Sequence, residues 1–137
     1  MKIYHETKII KSKNYIVLKD LEVYQRARQL SVMGWKIYDK LDWQNKKTMG
    51  DQFIRATDSV GANIAEGYGR FHYLDKIRFY YNSRGSLLEC ATHWSELLFE
   101  RNRISKDQHI SYKKVADQLH VKLNNLIRST YQSKQGK

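Results

Sequence analysis

The chain has 137 residues and no proline. Proline is the strongest helix breaker, because it lacks an N–H and its ring collides with the preceding turn. Without it, helices can run long, punctuated only by glycine or polar residues. Hydrophobic residues make up 41% of the sequence, which supports a core and argues against wholesale disorder. Apolar runs stop at four or five residues, so no membrane-spanning helix is expected. The lysine-bearing N-terminus lacks an apolar segment of secretory length, and the one cysteine, Cys90, cannot form an internal disulfide. A cytoplasmic protein is expected.

Four segments carry the helical period. Asp20 is placed to cap a first helix reaching about Asp42, with Leu21, Tyr24, Ala27, Leu30, Gly34, Ile37 and Leu41 spaced by three and four. The polar residues 44–47 read as a turn. A second helix is expected to begin at Thr48, with Asp51 favourable near its N-terminal dipole. Phe53, Thr57, Val60 and Ile64 form its apolar stripe, and Ala56, Ser59, Ala62 and Ala65 are small enough for close helix approach. Gly67 and Gly69 can adopt the positive φ that ends a helix.

A third helix is expected from about Tyr73 to Asn102. Leu74, Ile77, Tyr81, Arg84, Leu88, Ala91, Trp94 (or Ser95) and Leu98 follow the period, flanked by Tyr80, Leu87 and Leu97. Gly85 interrupts it at a cost of roughly 1 kcal/mol against alanine, so a packing reason for that glycine is expected. Ser105 through Gln108 reads as a capping box opening a fourth helix. Its seam is Tyr112, Val115 (or Ala116), Leu119, Leu123, Leu126 and Thr130. The fold expected is all-α, an antiparallel up-down-up-down four-helix bundle over 19–131. Residues 1–18 form an N-terminal arm, either a short hairpin or an extended strap, and 132–137 a frayed tail.

The formal charge is +11 and is unevenly spread. Residues 101–137 hold nine basic against two acidic side chains, and 1–18 hold four against one. A surface of this kind attracts polyanions, most simply RNA or DNA phosphates. Lys114, Gln118, Lys122, Asn125 and Arg128 make a polar-basic stripe about 21 Å long on the fourth helix. Arg101, Arg103, Lys106, Lys113, Lys134 and Lys137 add to it. The alternative reading is a solvated face on a cationic protein.

Other groupings admit duller explanations. Arg55, Ser59, Asn63, Glu66 and Arg70 share one helical face. They suit either a binding strip or, better, a structural polar network between helices or subunits, with Asn63 and Glu66 bonding Ser86 and neighbours such as Glu89 on the third helix. The turn from Gly67 to Tyr73 could offer amides, a guanidinium and aromatic faces to a phosphate or base. A lone glycine-x-glycine lacks the strand and fingerprint of a nucleotide loop, so an ordinary helix-helix turn is expected. Glu89, His93, Glu96 and Glu100 share a face, but the Glu-x-x-x-His spacing occurs once and does not match a bundle metal centre. That face is read as solvated, or as balancing lysines of a neighbour. No metal, cofactor or catalytic grouping is expected, and therefore no enzyme.

The run Gly50–Arg70, above all its end from Ala62 through Asn63, Glu66 and Gly67 to Arg70, resembles the signature of the 23S rRNA-intervening sequence proteins. Asp20 to Gln25 resembles that family's opening of helix one, and Gly85-Ser86-Leu87-Leu88-Glu89 its motif in helix three. The likeness spans about 19–131. Gly61 stands where many relatives have proline, which leaves the bend there open. The resemblance implies a bundle assembling into a homopentamer, with kinship to basic accessory proteins of diversity-generating retroelements. The function expected is nucleic-acid binding through Lys114, Lys122, Arg128, Arg101, Arg103 and Lys113. The alternative is a scaffold for a protein partner, such as a reverse transcriptase or ribosomal component, without direct nucleic-acid contact.

Overall fold

A computed structural model describes residues 16–133, and within them the chain is helical with no strand. The reading of residues 1–15 as hairpin or strap, and of Lys134 and Lys137 as part of the basic stripe, lies outside the described residues. A 3-10 turn, Leu18–Asp20, leads into α1, Glu22–Asp39. α2 consists of an α-turn Trp43–Asn45, a π-helical turn Lys46–Gly50 and the α-segment Asp51–Tyr68. α3 runs as Tyr73–Leu88, a π-helical stretch Glu89–Trp94 and Ser95–Glu100, and α4 spans Lys106–Gln132. Each helix packs on its neighbours in sequence and α4 closes on α1, which gives the up-down-up-down bundle.

Helix ends depart from expectation in three places. Asp20 does not cap α1: it lies in the 3-10 turn, and Leu21 occupies the N-cap without a side-chain bond. Residues 44–47 are helical and not a turn, because the Asp42 carboxylate accepts from the Asn45 amide at 2.8 Å and starts α2 five residues before Thr48. Thr48 sits inside the π-helical turn. Gly67 and Gly69 have ordinary negative φ; the left-handed residue is Asn102, with φ 58°. Asn102 ends α3 as a Schellman cap, with Arg103 N–H donating to the Leu98 carbonyl and Asn102 N–H to that of Phe99. The capping box at Ser105 and Gln108 forms as the sequence predicts.

The core is built by α2. Phe53, Val60 and Ile64 are fully buried, with Leu30 of α1, Tyr80 and Leu98 of α3 and Tyr112, Leu119 and Leu123 of α4 around them. Thr57 is equally buried, and its hydroxyl donates to the Phe53 carbonyl at 2.8 Å. That leaves its oxygen to accept from the Tyr112 hydroxyl, 2.7 Å away, so both polar groups are satisfied. Burial pushes the Tyr112 hydroxyl and the neighbouring Cys90 thiol well toward their neutral forms.

Ile77, Ala91, Ser95 and Leu98 are buried on the line expected for α3, but between Tyr80 and Leu88 the apolar stripe lies one residue off it. Tyr80, Ser83 and Leu87 face inward, whereas Leu74, Tyr81 and Leu88 are exposed. A spacing of three and four fits both lines, and α2 selects between them. Gly67 lets Tyr80 approach so closely that a Cβ there would lie 2.7 Å from the ring. Ser83 donates to the Val60 carbonyl at 2.7 Å. Gly85 has no packing reason among the described residues, since a Cβ on it would meet nothing within 4 Å. On α4, Ile127 takes the buried place and Leu126 is half-buried.

Candidate nucleic-acid interface

The Ser105 cap fixes where α4 begins, and its 3.6-residue period then decides which side chains turn outward. Tyr112, Ala116, Leu119 and Leu123 are pinned in the core, so Lys106, Lys114, Gln118, Asn125 and Arg128 are carried to the surface. Lys106 and Lys114 meet no acidic partner among the described residues. The Arg128 guanidinium donates to the Asn125 side chain at 2.9 Å, which holds it along the helix without neutralising it.

Two of the six predicted contacts are committed elsewhere. Lys122 pairs with Glu22 of α1 at 3.0 Å. Lys113 is half-buried, donates to the Ala91 carbonyl at 3.0 Å and lies 3.4 Å from Glu96. The face of α3 carrying Glu96 thus balances cations of α4, and His109 lies 3.4 Å from the same carboxylate. Arg101 and Arg103 are exposed at the loop between α3 and α4, where the Arg103 Nε donates to the Arg101 carbonyl at 2.9 Å. Nearby Asp42 is held below the usual carboxylate range, first by the Asn45 amide and more weakly by the Arg103 charge, against some desolvation. The surface that remains is Arg101, Arg103, Lys106, Lys114 and Arg128, spread along one flank.

Within the subunit the polar strip on α2 does not bridge to α3. Asn63 donates to the Ser59 carbonyl at 2.9 Å, one turn back in its own helix. Glu66 pairs with Arg70 at 2.6 Å, also i to i+4. Arg55 is exposed, and among the described residues no hydrogen bond joins Asn63 or Glu66 to Ser86. Glu89 instead accepts from the Trp94 indole at 2.9 Å. The physical reason is reach: a partner within the helix satisfies these groups before a neighbouring helix can. Hydrogen bonds that do cross between helices come from buried Thr57 and Ser83, and from the longer Tyr38, Arg84 and Lys113, which reach Asp51, Asn124 and the Ala91 carbonyl.

A second cationic cluster lies at the α2–α3 corner. Arg70 and Arg78 flank the ring of Phe79, with guanidinium carbons 4.8 and 4.5 Å from its centroid. Phe71 beside them is 84% exposed. The repeated Arg-Phe pair at 70–71 and 78–79 was the available sequence signal for this corner, yet spacing alone does not show that one ring serves both arginines.

Comparison with known proteins places these features in a family context. The family described as 23S rRNA-intervening sequence protein matches residues 19–125. A solved structure of a protein of unknown function from the S23 ribosomal protein family, from Bacteroides thetaiotaomicron, is similar in fold at 24% identity and a TM-score of 0.71. The alignment covers 77% of this chain and 97% of that one. No curated protein matches.

Proposed function

This chain belongs to the 23S rRNA-intervening sequence protein family, and from that premise we propose that it is a non-catalytic, cytoplasmic, homo-oligomeric bundle. It holds nucleic acid through phosphate contacts without strong base preference. One observation carries this reading: cations from Arg101 to Arg128 line an outer flank with few carboxylates to neutralise them. A flank of that kind gains affinity by releasing counterions from a phosphate backbone.

The test is binding of a labelled RNA and a labelled duplex DNA across a salt series. Affinity is expected to fall steeply with salt, and Lys114→Gln or Arg128→Gln to reduce the salt slope by about one each. Lys122→Gln is expected to change it less, because that charge is already shared with Glu22. Salt-insensitive binding, or none at low salt, overturns the reading.

We propose a ring-like homopentamer for the assembly, as the family resemblance implies. Two unlike apolar patches on opposite edges of the bundle support it. One is Trp35, Tyr38 and Ile54 on α1 and α2; the other is Tyr81, Leu88 and Ala91 around Gly85 on α3. Unlike faces that complement each other associate head to tail, and such contacts close into rings when the rotation permits. Light scattering showing a monomer at working concentration defeats this. The same patch around Gly85 is what favours a protein-scaffold alternative. A partner retained after nuclease treatment and lost in Leu88→Arg would favour that alternative.

A further inference from the structure

Phe71 is more exposed, at 84%, than any other large apolar side chain among the described residues. It stands at the corner between α2 and α3, and its surroundings are not those of an idle loop. Phe79 is half-buried and fixed by the close approach of the two helices, since a Cβ on Gly67 would lie 3.0 Å from the Phe79 Cβ. Arg70 and Arg78 lie over that anchored ring. The ring orients both guanidiniums by cation-π attraction. Arg70 is also paired with Glu66, whereas Arg78 has no carboxylate partner among the described residues. Asp75 is the other acid in the corner, and Lys76 donates to the Tyr68 carbonyl at 3.0 Å. Ile16 reaches the same corner, its carbonyl accepting from the Tyr68 hydroxyl.

We propose that this corner is a stacking site for single-stranded nucleic acid, distinct from the α4 flank. A base lies against the exposed Phe71 ring, and the phosphate beside it takes the unneutralised Arg78 guanidinium in a forked contact. Arg78 stands roughly 7.5 Å along the axis from the start of α3 at Tyr73, and Phe71 precedes that start by two residues. A duplex cannot use the site, because its bases are already stacked on one another. The α4 flank makes no such distinction, since it meets only phosphates. The corner therefore gives the protein a preference for single strands that net charge alone does not supply. This inference rests on the nucleic-acid reading above.

The experiment uses the full chain and three probes at one salt concentration: an oligouridylate, an oligothymidylate of equal length and a blunt duplex. Phe71→Ala is expected to weaken binding of the single strands about tenfold, the loss typical of one stacked base. Duplex affinity and melting temperature are expected to stay unchanged, and Phe71→Trp to retain single-strand binding. Arg78→Gln is expected to weaken single strands several-fold. A loss confined to the oligouridylate identifies RNA as the ligand, and one confined to the oligothymidylate identifies DNA. If Phe71→Ala binds single strands like the parent while duplex binding persists, this site is wrong and the α4 reading stands. If the variant instead melts lower with affinity intact, Phe71 is a packing residue and the site is also wrong. Failure of the parent to bind any probe removes the nucleic-acid reading itself.

Discussion

Helices α2 and α3 lie against each other yet dispose of their apolar residues in opposite ways. α2 buries Phe53, Val60 and Ile64 completely, and Ala56, Gly61 and Gly67 face the helices beside it, whereas Ala62 is exposed. α3 buries Tyr80 and Leu87 but turns Leu74, Tyr81 and Leu88 to the outside, and Leu88 is 64% exposed. The glycines divide in the same way. Gly67 is a point of contact where any side chain collides, whereas Gly85 faces open space. α2 is thus specified by the bundle, while the outer face of α3 carries apolar groups that the bundle does not use. Contiguous exposed apolar groups of this kind mark contact with something beyond the chain.

Mutation can sharpen or break that contrast. Phe53→Ala should cost about 3–5 kcal/mol in chemical denaturation, because it empties the centre of the core. Thr57→Val should cost about 1–3 kcal/mol by leaving the Tyr112 hydroxyl buried without its acceptor. In that variant the Cys90 thiol, protected by burial in the parent, should label faster with a thiol reagent under mild denaturant. Gly67→Ala should cost about 1–3 kcal/mol through overpacking, since the Lys76 carbonyl stands 3.0 Å from the new Cβ and cannot swing aside like a side chain. Gly85→Ala should run the other way and stabilise the folded subunit by about 1 kcal/mol, because nothing obstructs the methyl group. If it disperses the proposed oligomer while raising the stability of the folded chain, the glycine serves an approach from outside. Leu88→Ser should change subunit stability by less than about 0.5 kcal/mol while weakening self-association in light scattering. A large loss of subunit stability in Leu88→Ser would end the distinction between the two helices.

The α2 stripe was legible in the sequence because its apolar residues form one line with small or polar residues on either side. Ser105 and Gln108 were equally legible, since a capping box is a local bond pattern that needs no tertiary partner. The start of α2 was not. Asp42 and Thr48 are both good caps, and the choice of Asp42 depends on a π-helical turn that absorbs the extra residues between them. The middle of α3, from Tyr80 to Leu88, was read one residue out of phase because two adjacent lines there both carry large apolar groups at helical spacing. At the candidate interface, the outward position of Lys114 and Arg128 followed from the period of α4. The pairing of Lys122 with Glu22 and of Lys113 with Glu96 did not, because each joins helices far apart in sequence.

The sequence by itself determined that four long helices form, roughly where they stop, and that cations gather toward the C-terminus. Those properties depend on the absence of proline, on 3.6-residue periodicity and on local capping, all of which act within a few residues. Only the tertiary structure decided which face of α3 points inward, which lysines keep a net charge, and that Arg70 and Arg78 share one ring. Each of these depends on distances between segments that the chain brings together only when the bundle closes, and the spacing of residues along a single helix does not encode them.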